Sequence, residues 1–287
     1  MENNIIEDAS RQRFAFGKNW ASFLSGVDAE RISQAEESLQ HAFRVATLEG
    51  KTFLDVGSGS GLFSLAARRL GARVHSFDLD RQCVECTQTL HDRYFPNDRT
   101  WIIQQGSVLN REFLAQLGTF DIVYAWGVLH HTGDLWQALE HVASLVKPGG
   151  HLLISIYNYQ VYWTALYTRL KRSYVRAPVL GKWGIAGAFI LIQVLKGFVK
   201  DTLFLRNPLR RYRDKPPLRG MSIWYDWIDW VGGYPFETAK PEEIFDFYRE
   251  KGFTLQRLKT AGGGHGCNEF VFALTTDSVT RENEPLW

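Results

Sequence analysis

Cysteine is scarce in this chain of 287 residues, which contains three in all. Three cysteines cannot build a disulfide framework, so their scarcity predicts a reducing compartment. Cys83 and Cys86 form a single Cys-x-x-Cys pair at a place where a helix should begin. Without a second pair we interpret them as helix-surface or core residues and predict no metal site. The first eight residues lack a basic segment followed by an apolar run, which predicts no secretory signal and a cytoplasmic location.

Net charge is also small, at +2, but the charges are unevenly distributed. Residues 161–220 hold 13 Lys or Arg against Asp201 and Asp214, which suggests a surface with a function of its own. No recognisable RNA-binding motif accompanies the basic residues, and aliphatic residues separate them, so nucleic acid is not the expected partner. The apolar stretch 183–199 is interrupted by Gln193 and Lys196. We therefore do not expect this stretch to span a membrane.

Glycine, in contrast, is concentrated in one short motif. Gly57, Gly59 and Gly61 separate an apolar segment with the pattern of a buried strand from a segment with helical periodicity. Glycine tolerates positive φ and lets a ligand approach the main chain, and a helix that begins there points free N–H groups at the ligand. The motif therefore predicts a ligand-binding turn. It does not fit the G-x-G-x-x-G loop of nicotinamide dehydrogenases, because Leu62 or Ser64 takes the place of the last glycine.

Further apolar segments follow, strands alternating with helices, and several strands end in polar or aromatic residues. Asp78 ends the second predicted strand, close to the spacing from Gly57 at which an acid binds ribose hydroxyls in nucleotide-binding folds. Ser107 follows the third strand, Trp126 ends the fourth and Tyr157 ends the fifth. This rhythm predicts parallel pairing with right-handed crossovers, and ligands bind beyond the carboxyl ends of such strands.

The glycine motif, read with Asp55 as Asp-x-Gly-x-Gly-x-Gly, resembles the first motif of class I S-adenosylmethionine-dependent methyltransferases. The run Phe-Asp-x-Val, Leu-His-His and Lys-Pro-Gly-Gly-x-Leu-x-Ile, within residues 120–154, is similar to the ubiquinone-biosynthesis type of these enzymes. The resemblance covers about residues 50–157. It implies an α/β, Rossmann-like, seven-stranded and mostly parallel sheet with an antiparallel last strand, plus a helical insertion after the fifth strand.

The resemblance also implies S-adenosylmethionine as the cofactor and a set of residues that bind it. Asp55 would face the amino group of the ligand, and Asp78 would hold the ribose. Ser107 replaces the Asp that many family members place near the adenine amino group, and a hydroxyl is a weaker acceptor than a carboxylate. The predicted set comprises Asp55, Gly57, Ser58, Gly59, Gly61, Asp78, Leu79, Ser107, Val108 and Trp126. Phe16 and Trp20 join it either as lid residues or as a staple for the first helix.

Residues 159–237 form an insertion that a minimal methyltransferase does not need. Its apolar stretch, flanked by Arg and Lys, predicts a helical lid on the domain or a helix at an anionic membrane surface, and the two roles are compatible. The second role would place the protein at the periphery of the inner membrane. Aromatic and acidic residues after position 220 suit a pocket for a ring and a hydroxyl. The predicted acceptor-binding residues are Trp224, Tyr225, Asp226, Trp230, Tyr234 and, in the final hairpin, Asn268.

The expected reaction is methyl transfer to a hydroxyl of a small aromatic, lipid-linked or sugar-containing acceptor. Orientation of the reactants, worth roughly 7 to 11 kcal/mol in favourable cases, should dominate. If a general base assists, His131 is the first candidate and His265 the second, because imidazole titrates near neutral pH. Tyr157 is a further catalytic candidate. N- or C-methylation, RNA modification and a non-catalytic ligand-binding or membrane-binding role remain alternatives, and the oligomeric state stays open.

We divide the chain into five segments. They are an N-terminal lid and helix (1–49), a cofactor-binding core (50–158), the basic, aromatic-rich insertion (159–237), the final helix and hairpin (238–276) and a tail (277–287).

Overall fold

The computed structural model describes residues 27–204, 223–264 and 266–276, which form a sheet with helices on both faces. The strands are β1 (Thr52–Val56), β2 (Arg73–Asp78), β3 (Trp101–Gln105), β4 (Phe120–Trp126), β5 (Val146–Tyr157), β6 (Phe253–Lys259) and β7 (Cys267–Leu274). The helices are α1 (Ala29–Phe43), α2 (Leu62–Arg69), α3 (Arg81–Tyr94), α4 (Arg111–Ala115), α5 (Leu135–Ser144), α6 (Trp163–Arg176), α7 (Val179–Leu203), α8 (Ile223–Gly232) and α9 (Pro241–Glu250). A short 3₁₀ helix, Leu129–His131, follows β4.

The seven strands pair in the order β3-β2-β1-β4-β5-β7-β6. Neighbours from β3 to β5 run parallel, whereas β7 runs antiparallel to both β5 and β6. The fold predicted from the sequence is therefore confirmed. The chain leaves β1 toward β2 on one side and returns to β4 on the other, so the order reverses at β1. A crevice opens at such a switch point, beyond the carboxyl ends of the strands.

Two hydrophobic clusters cover the two faces of the sheet. Phe53 on β1 belongs to the cluster beneath α1 and α2, and its neighbour Leu54 belongs to the cluster beneath α5 and α9. Tyr124 and Val123 on β4 divide in the same way. Successive side chains of a strand point to opposite faces, so central strands covered on both sides are apolar throughout.

Polar side chains cap several helices. Asp28, Asp80 and Asp134 each precede a segment with helical periodicity, a pattern that predicts an N-terminal cap. Asp28, Asp80 and Asp134 accept from main-chain N–H groups in the first turns of α1, α3 and α5 at 2.9, 2.9 and 3.1 Å. These bonds satisfy donors that a helix start leaves without intrahelical partners. Cys83 and Cys86 lie buried on α3, as their helical placement predicts.

The sequence misplaces one boundary, between α5 and β5. It predicts a helix that ends near Lys147 and a strand from His151, but α5 ends at Ser144 and β5 begins at Val146. Val146 pairs with Phe120 across an irregular register, which extends the strand toward its amino end. The turn signal of Gly149 and Gly150 therefore lies within the strand.

The insertion contains α6, α7 and α8 and has a small apolar cluster of its own. Tyr174, Ala186 and Val231, one from each helix, form the buried part of this cluster. In the described part of the chain, α7 is the single helix long and apolar enough to cross a membrane by length and composition. It extends beyond the stretch 183–199 at both ends, so length alone does not exclude a spanning helix.

Candidate active site

The glycine loop joins β1 to α2 at the carboxyl edge of the sheet. Gly57, Gly59 and Gly61 have φ values of 73°, 56° and 80°, a left-handed region that side chains disfavour. The main-chain N–H groups of Gly57 and Ser58 donate to the Phe77 carbonyl at 2.8 and 3.1 Å. These two bonds fix the loop against the end of β2.

Neighbouring elements crowd the loop from both sides. A Cβ added to Gly57 would lie 2.5 Å from Val128 Cγ1, and one added to Gly61 would lie 2.8 Å from Thr87 Cα. The Ser58 hydroxyl forms a 2.9 Å hydrogen bond with the Thr87 hydroxyl, so it serves the packing of α3. Within residues 57–61, Gly57 and Gly59 alone are partly exposed. A ligand at this edge therefore meets main chain.

Asp78 lies half-buried at the end of β2 and ties the glycine loop to the start of α3. Its Oδ2 accepts from the Gly59 N–H at 2.9 Å, and its Oδ1 accepts from the Asp80 N–H at 2.9 Å. Burial raises the pKa of Asp78 to about 6, although both N–H groups oppose the shift by stabilising the carboxylate. The Cys83 thiol also bonds to this carboxylate, and the remaining acceptor capacity suits a ribose hydroxyl.

Asp55 faces the interior of the protein. It is 2% exposed, and its Oδ2 accepts from the Ser64 hydroxyl at 2.5 Å. Ser64 in turn bonds to Ser76 at 2.7 Å, and Ser76 accepts from the Trp101 indole at 2.9 Å. Burial raises the pKa of Asp55 to about 7, partly offset by the bond from Ser64. The carboxylate thus joins β1, α2 and β2, and a contact with the cofactor amino group stays a prediction.

The other described residues of the predicted cofactor set lie around the same crevice. The Leu79 side chain is exposed, and Ser107 is half-buried with its hydroxyl accepting from the Leu109 N–H at 3.2 Å. Val108 is buried, and its carbonyl accepts from His141 Nδ1 at 2.7 Å. Trp126 ends β4 and packs partly buried against the cluster beneath α1 and α2. These positions place apolar and accepting groups along the ends of β2, β3 and β4.

This arrangement fits an adenosyl ligand. The glycine loop offers exposed main chain where side chains would clash, Asp78 offers carboxylate oxygens, and Leu79 offers an exposed apolar surface. Gly59, Asp78, Ser107 and Trp126 would hold S-adenosylmethionine there, with Asp55 behind the loop.

His131 lies in the 3₁₀ helix after β4, next to the segment that leads out of the insertion. Its Nδ1 lies 2.6 Å from the Pro235 carbonyl oxygen. Because a carbonyl can only accept, Nδ1 carries the hydrogen. In the neutral imidazole the lone pair is then on Nε2. The geometry gives His131 the tautomer of a base.

His131 belongs to a compact group of rings that we call the ring cluster: His130, His131, Tyr157 and Phe236. The Tyr157 ring lies 4.1 Å from His130, 5.6 Å from His131 and 4.9 Å from Phe236, measured between centroids. His130 is buried, and burial, reinforced by its neighbours His131 and Lys171, holds its pKa well below the usual value. The sequence signalled His130 only as the neighbour of His131, and Phe236 had no signal of its own.

Lys171 on α6 connects the ring cluster to the insertion, and the sequence did not single it out. It is fully buried, with its ammonium 4.1 Å from the Trp230 ring centroid and 4.8 Å from that of Phe236. Its Nζ also donates to the Trp230 carbonyl. A buried ammonium facing two ring faces forms a strong cation–π contact.

The predicted acceptor-binding residues differ in what the structure gives them to do. The Trp230 ring stacks on Phe189 at 4.9 Å and faces Lys171, so it packs the interior of the insertion. The Tyr234 hydroxyl accepts from Arg172 Nε at 3.1 Å. Asn268 is 1% exposed, and its side chain bonds to Ala261 and Asn158. The amide of Asn268 closes the final hairpin, and an acceptor-binding role for it stays a prediction.

Several predicted residues lie outside the described part of the chain. These are Phe16, Trp20 and His265. Helix α8 includes Trp224, Tyr225 and Asp226, whose side chains are not described. Among the described residues, no group of three or more His, Cys, Asp or Glu could hold a metal ion.

A seven-stranded sheet with an antiparallel β7, a glycine loop after β1 and an acid after β2 is the arrangement of class I S-adenosylmethionine-dependent methyltransferases. The profile of a family described as methyltransferase domain matches residues 28–213. The chain belongs to this methyltransferase domain family. Membership confirms the enzyme class and the cofactor that the sequence predicted.

Curated relatives match the central part of the chain. The ubiquinone biosynthesis O-methyltransferase of Xanthomonas campestris pv. campestris (strain B100) is 39% identical over 117 residues, 41% of this chain and 47% of that relative. The enzyme of the same name from Vibrio cholerae serotype O1 (strain M66-2) is 33% identical over 114 residues, 40% of this chain and 45% of that relative. The chain thus spans about half the length of these relatives.

Solved structures agree with the fold. Magnesium protoporphyrin IX methyltransferase from Synechocystis PCC 6803, crystallised with S-adenosylhomocysteine (SAH), has a TM-score of 0.50 and 14% identity, covering 85% of this chain and 83% of that chain. An O-methyltransferase family protein from Burkholderia thailandensis has a TM-score of 0.51 and 14% identity, covering 85% of this chain and 57% of that chain.

Proposed function

We propose that this enzyme transfers a methyl group from S-adenosylmethionine to a hydroxyl of a small aromatic or lipid-linked acceptor. The observation that carries the proposal is the position of His131 beyond β4 and of Tyr157 at the end of β5, at the edge of the sheet that holds the glycine loop. The ring cluster supplies aromatic surface beside a base of the required tautomer. The O-methyltransferase names of the curated relatives support a hydroxyl acceptor.

The chain contributes orientation and one proton acceptor. S-adenosylmethionine supplies an electrophilic sulfonium methyl group when bound. Gly59 and Asp78 would hold the cofactor from the β1–β2 side, and the ring cluster would hold the acceptor from the β4–β5 side. His131 Nε2 takes the hydroxyl proton, while its Nδ1–H stays on the Pro235 carbonyl. Positioning supplies most of the acceleration, because a single acid-base group contributes roughly 10²- to 10⁴-fold.

The acceptor class can be tested with the purified protein and S-adenosylmethionine carrying a labelled methyl group. Phenols, prenylated phenols, sugars with free hydroxyls and aromatic amines would be compared as acceptors. We expect methyl ethers from the phenols and the longest-lived complexes with prenylated ones. Transfer to the amines alone, with phenols inert, would remove the hydroxyl proposal and leave the methyltransferase class intact.

Two substitutions separate the proposed role of His131 as a base from its hydrogen bond to the Pro235 carbonyl. His131→Asn keeps an N–H that can donate to Pro235 but has no base, and His131→Ala removes both. We expect both variants to lower kcat by about 100-fold or more and to leave the affinity for SAH unchanged. A near-normal kcat in His131→Asn, with loss confined to His131→Ala, would assign His131 to positioning.

A further inference from the structure

Helix α7 leaves most of its apolar surface exposed. In its most apolar stretch of 18 residues, 6% of the stretch is buried, and the mean hydropathy of the stretch is 1.5. Leu191, Leu195 and Phe198 are 58%, 53% and 52% exposed. Contiguous apolar patches of this kind are rare on monomeric proteins and mark contact with a partner or a membrane.

The exposed residues share one side of the helix. At about 100° per residue, Leu180, Leu191, Leu195, Phe198 and Val199 fall within one continuous sector, which we call the apolar face. Ala186 and Phe189 lie on the opposite side, where Ala186 is buried and Phe189 stacks on Trp230 of α8. The packing of the insertion therefore uses one side of α7 and leaves the apolar face outward.

Basic residues border one edge of the apolar face. Lys196 lies next to this edge, and Lys182 and Lys200 follow about 40° further round α7, beside Phe189. The acidic residue of this helix, Asp201, is buried. Exposed arginines of α6, namely Arg169, Arg172 and Arg176, add to the positive charge of the same insertion. Apolar surface bordered by cations complements a bilayer with anionic headgroups.

We propose that α7 docks in the plane of an anionic membrane, with its apolar face in the outer part of the bilayer and the lysines at the headgroups. The alternative of a spanning helix fits the length of α7 but not its packing. Spanning would require Ala186 and Phe189 to leave α6 and α8, and would take Lys196 into the hydrocarbon. In-plane docking preserves the insertion as it is folded.

This surface is connected to the active site by the chain itself. After α8 the chain continues through Tyr234 to Phe236, whose ring contacts Tyr157, and Pro235 accepts from His131. Docking would therefore hold the ring cluster near the membrane, where a lipid-linked acceptor resides. The docking itself does not depend on which acceptor is methylated.

The experiment is sedimentation of the full-length protein with vesicles, either of phosphatidylcholine alone or with about a third phosphatidylglycerol. We expect strong binding to the anionic vesicles at low salt, weakening as salt rises, and little binding to phosphatidylcholine. Bound protein should be released by high salt or alkaline carbonate. Extraction by detergent only would indicate a spanning helix and overturn in-plane docking.

Variants separate the two components of the surface. The double variant Leu191→Asp/Leu195→Asp should lose vesicle binding by a factor of about ten or more per leucine. Lys196→Gln/Lys200→Gln should weaken it by about fivefold per lysine and reduce its salt dependence. The matched control is Ile102→Asp on β3, an apolar residue of similar exposure far from the insertion in sequence, which should bind normally.

Circular dichroism and SAH binding would show that each variant is folded. Full vesicle binding by the leucine variant, equal binding of the wild type to both vesicle types, or binding of RNA in place of vesicles would each overturn the proposal. Because SAH affinity and vesicle binding are read separately, failure of docking is distinguishable from failure of the methyltransferase proposal.

Discussion

Asp78 combines a structural role with the proposed ribose-binding role in one carboxylate. Its pKa, raised by burial to about 6, means that it is charged at neutral pH and protonated in mild acid. The carboxylate accepts from Gly59 and Asp80, and the proposed ribose bonds use its remaining acceptor positions. Protonation below pH 6 removes charge and acceptor capacity together.

The affinity for SAH should therefore decrease as pH falls through 6, by up to about tenfold per pH unit. Asp78→Asn should bind about tenfold to a hundredfold more weakly at pH 8, because hydrogen bonds to a charged group are lost. It should also lose most of the pH dependence. Calorimetric titration from pH 5 to 8 measures both effects.

Asp121 provides the matched control for this titration. Hydrogen bonds from Thr52 and the neighbouring Lys147 outweigh burial and lower the pKa of Asp121 to about 2, so it stays charged over the whole range. Asp121→Asn should therefore leave the pH profile of SAH binding unchanged. Asp55 is the second carboxyl group with a raised pKa, and Asp55→Asn would measure its contribution to the pH dependence of SAH binding. A wild-type affinity that is flat from pH 5 to 8 would contradict the ribose role of Asp78.

The sequence located these carboxylates but not their partners. Asp78 was found by its place after an apolar strand and by its spacing from the glycine loop. The bonds of Asp55 to Ser64, and of His131 to Pro235, join residues whose proximity depends on packing between elements. No pattern in one sequence encodes such proximity.

At the scale of elements, the loop requires glycine at position 57 for two reasons, its backbone conformation and the lack of room for a side chain. Gly57 and Gly118 have nearly equal φ values of 73° and 74°. A Cβ at Gly57 would overlap Val128, whereas a Cβ at Gly118 would meet no atom within 4 Å. The two positions therefore separate the cost of conformation from the cost of contact.

We expect Gly118→Ala to lower the free energy of unfolding by about 1 kcal/mol, the cost of a left-handed non-glycine residue. Gly57→Ala should cost about 1 to 3 kcal/mol more, because Val128 must move. It should also weaken SAH binding, since the loop shifts. Chemical denaturation and calorimetry provide the two values. Equal stability of the two variants would mean that Val128 moves away from the added Cβ at no measurable cost in free energy.

Glu237 joins the segment after the insertion to the loop that carries His131. Its carboxylate accepts from the Gly133 N–H at 2.9 Å and the Leu135 N–H at 3.1 Å, at the start of α5. Its own N–H donates to the His130 carbonyl at 3.0 Å. These bonds hold the ring cluster between two elements that are distant in sequence.

Glu237→Ala should lower the free energy of unfolding by about 1 to 3 kcal/mol and reduce kcat, because the loop around His131 loosens. Glu243 supplies the control, since its carboxylate accepts from the Lys240 N–H at 2.8 Å at the start of α9. Glu243→Ala should lose stability without a comparable loss of kcat. Denaturation and steady-state kinetics test both. Equal kcat in the two variants would show that the Glu237 bonds do not position His131.

Caps and strand ends were the most predictable features at this scale. Asp28, Asp80 and Asp134 act locally, so a few neighbouring residues were sufficient to predict them. The start of β5 was not predictable, because pairing of Val146 with Phe120 overrides the turn signal of Gly149 and Gly150. Pairing between strands is a non-local contribution that local patterns do not contain.

At the scale of the whole molecule, the core and the insertion pack largely apart. The described clusters on the two faces of the sheet contain no residue from α6, α7 or α8, whose buried cluster is separate. The two ends of the insertion meet at the sheet, where Asn158 and Ala239 form a parallel bridge. The family resemblance predicted the insertion, and its excess of basic residues predicted a surface with a function of its own. We propose that the two parts of the molecule divide the function between them.

Replacing residues 161–232 by about ten Gly and Ser residues tests that division. The core should fold, because both large clusters stay complete, and it should bind SAH within about twofold of the intact enzyme. Methyl transfer should fall, since Lys171 no longer packs on Phe236 of the ring cluster, and vesicle binding should be lost with α7. A tenfold loss of SAH affinity in a folded protein would show that the insertion completes the cofactor site. Retained methyl transfer would instead place the acceptor wholly on the core, because the ring cluster alone would then suffice to orient it.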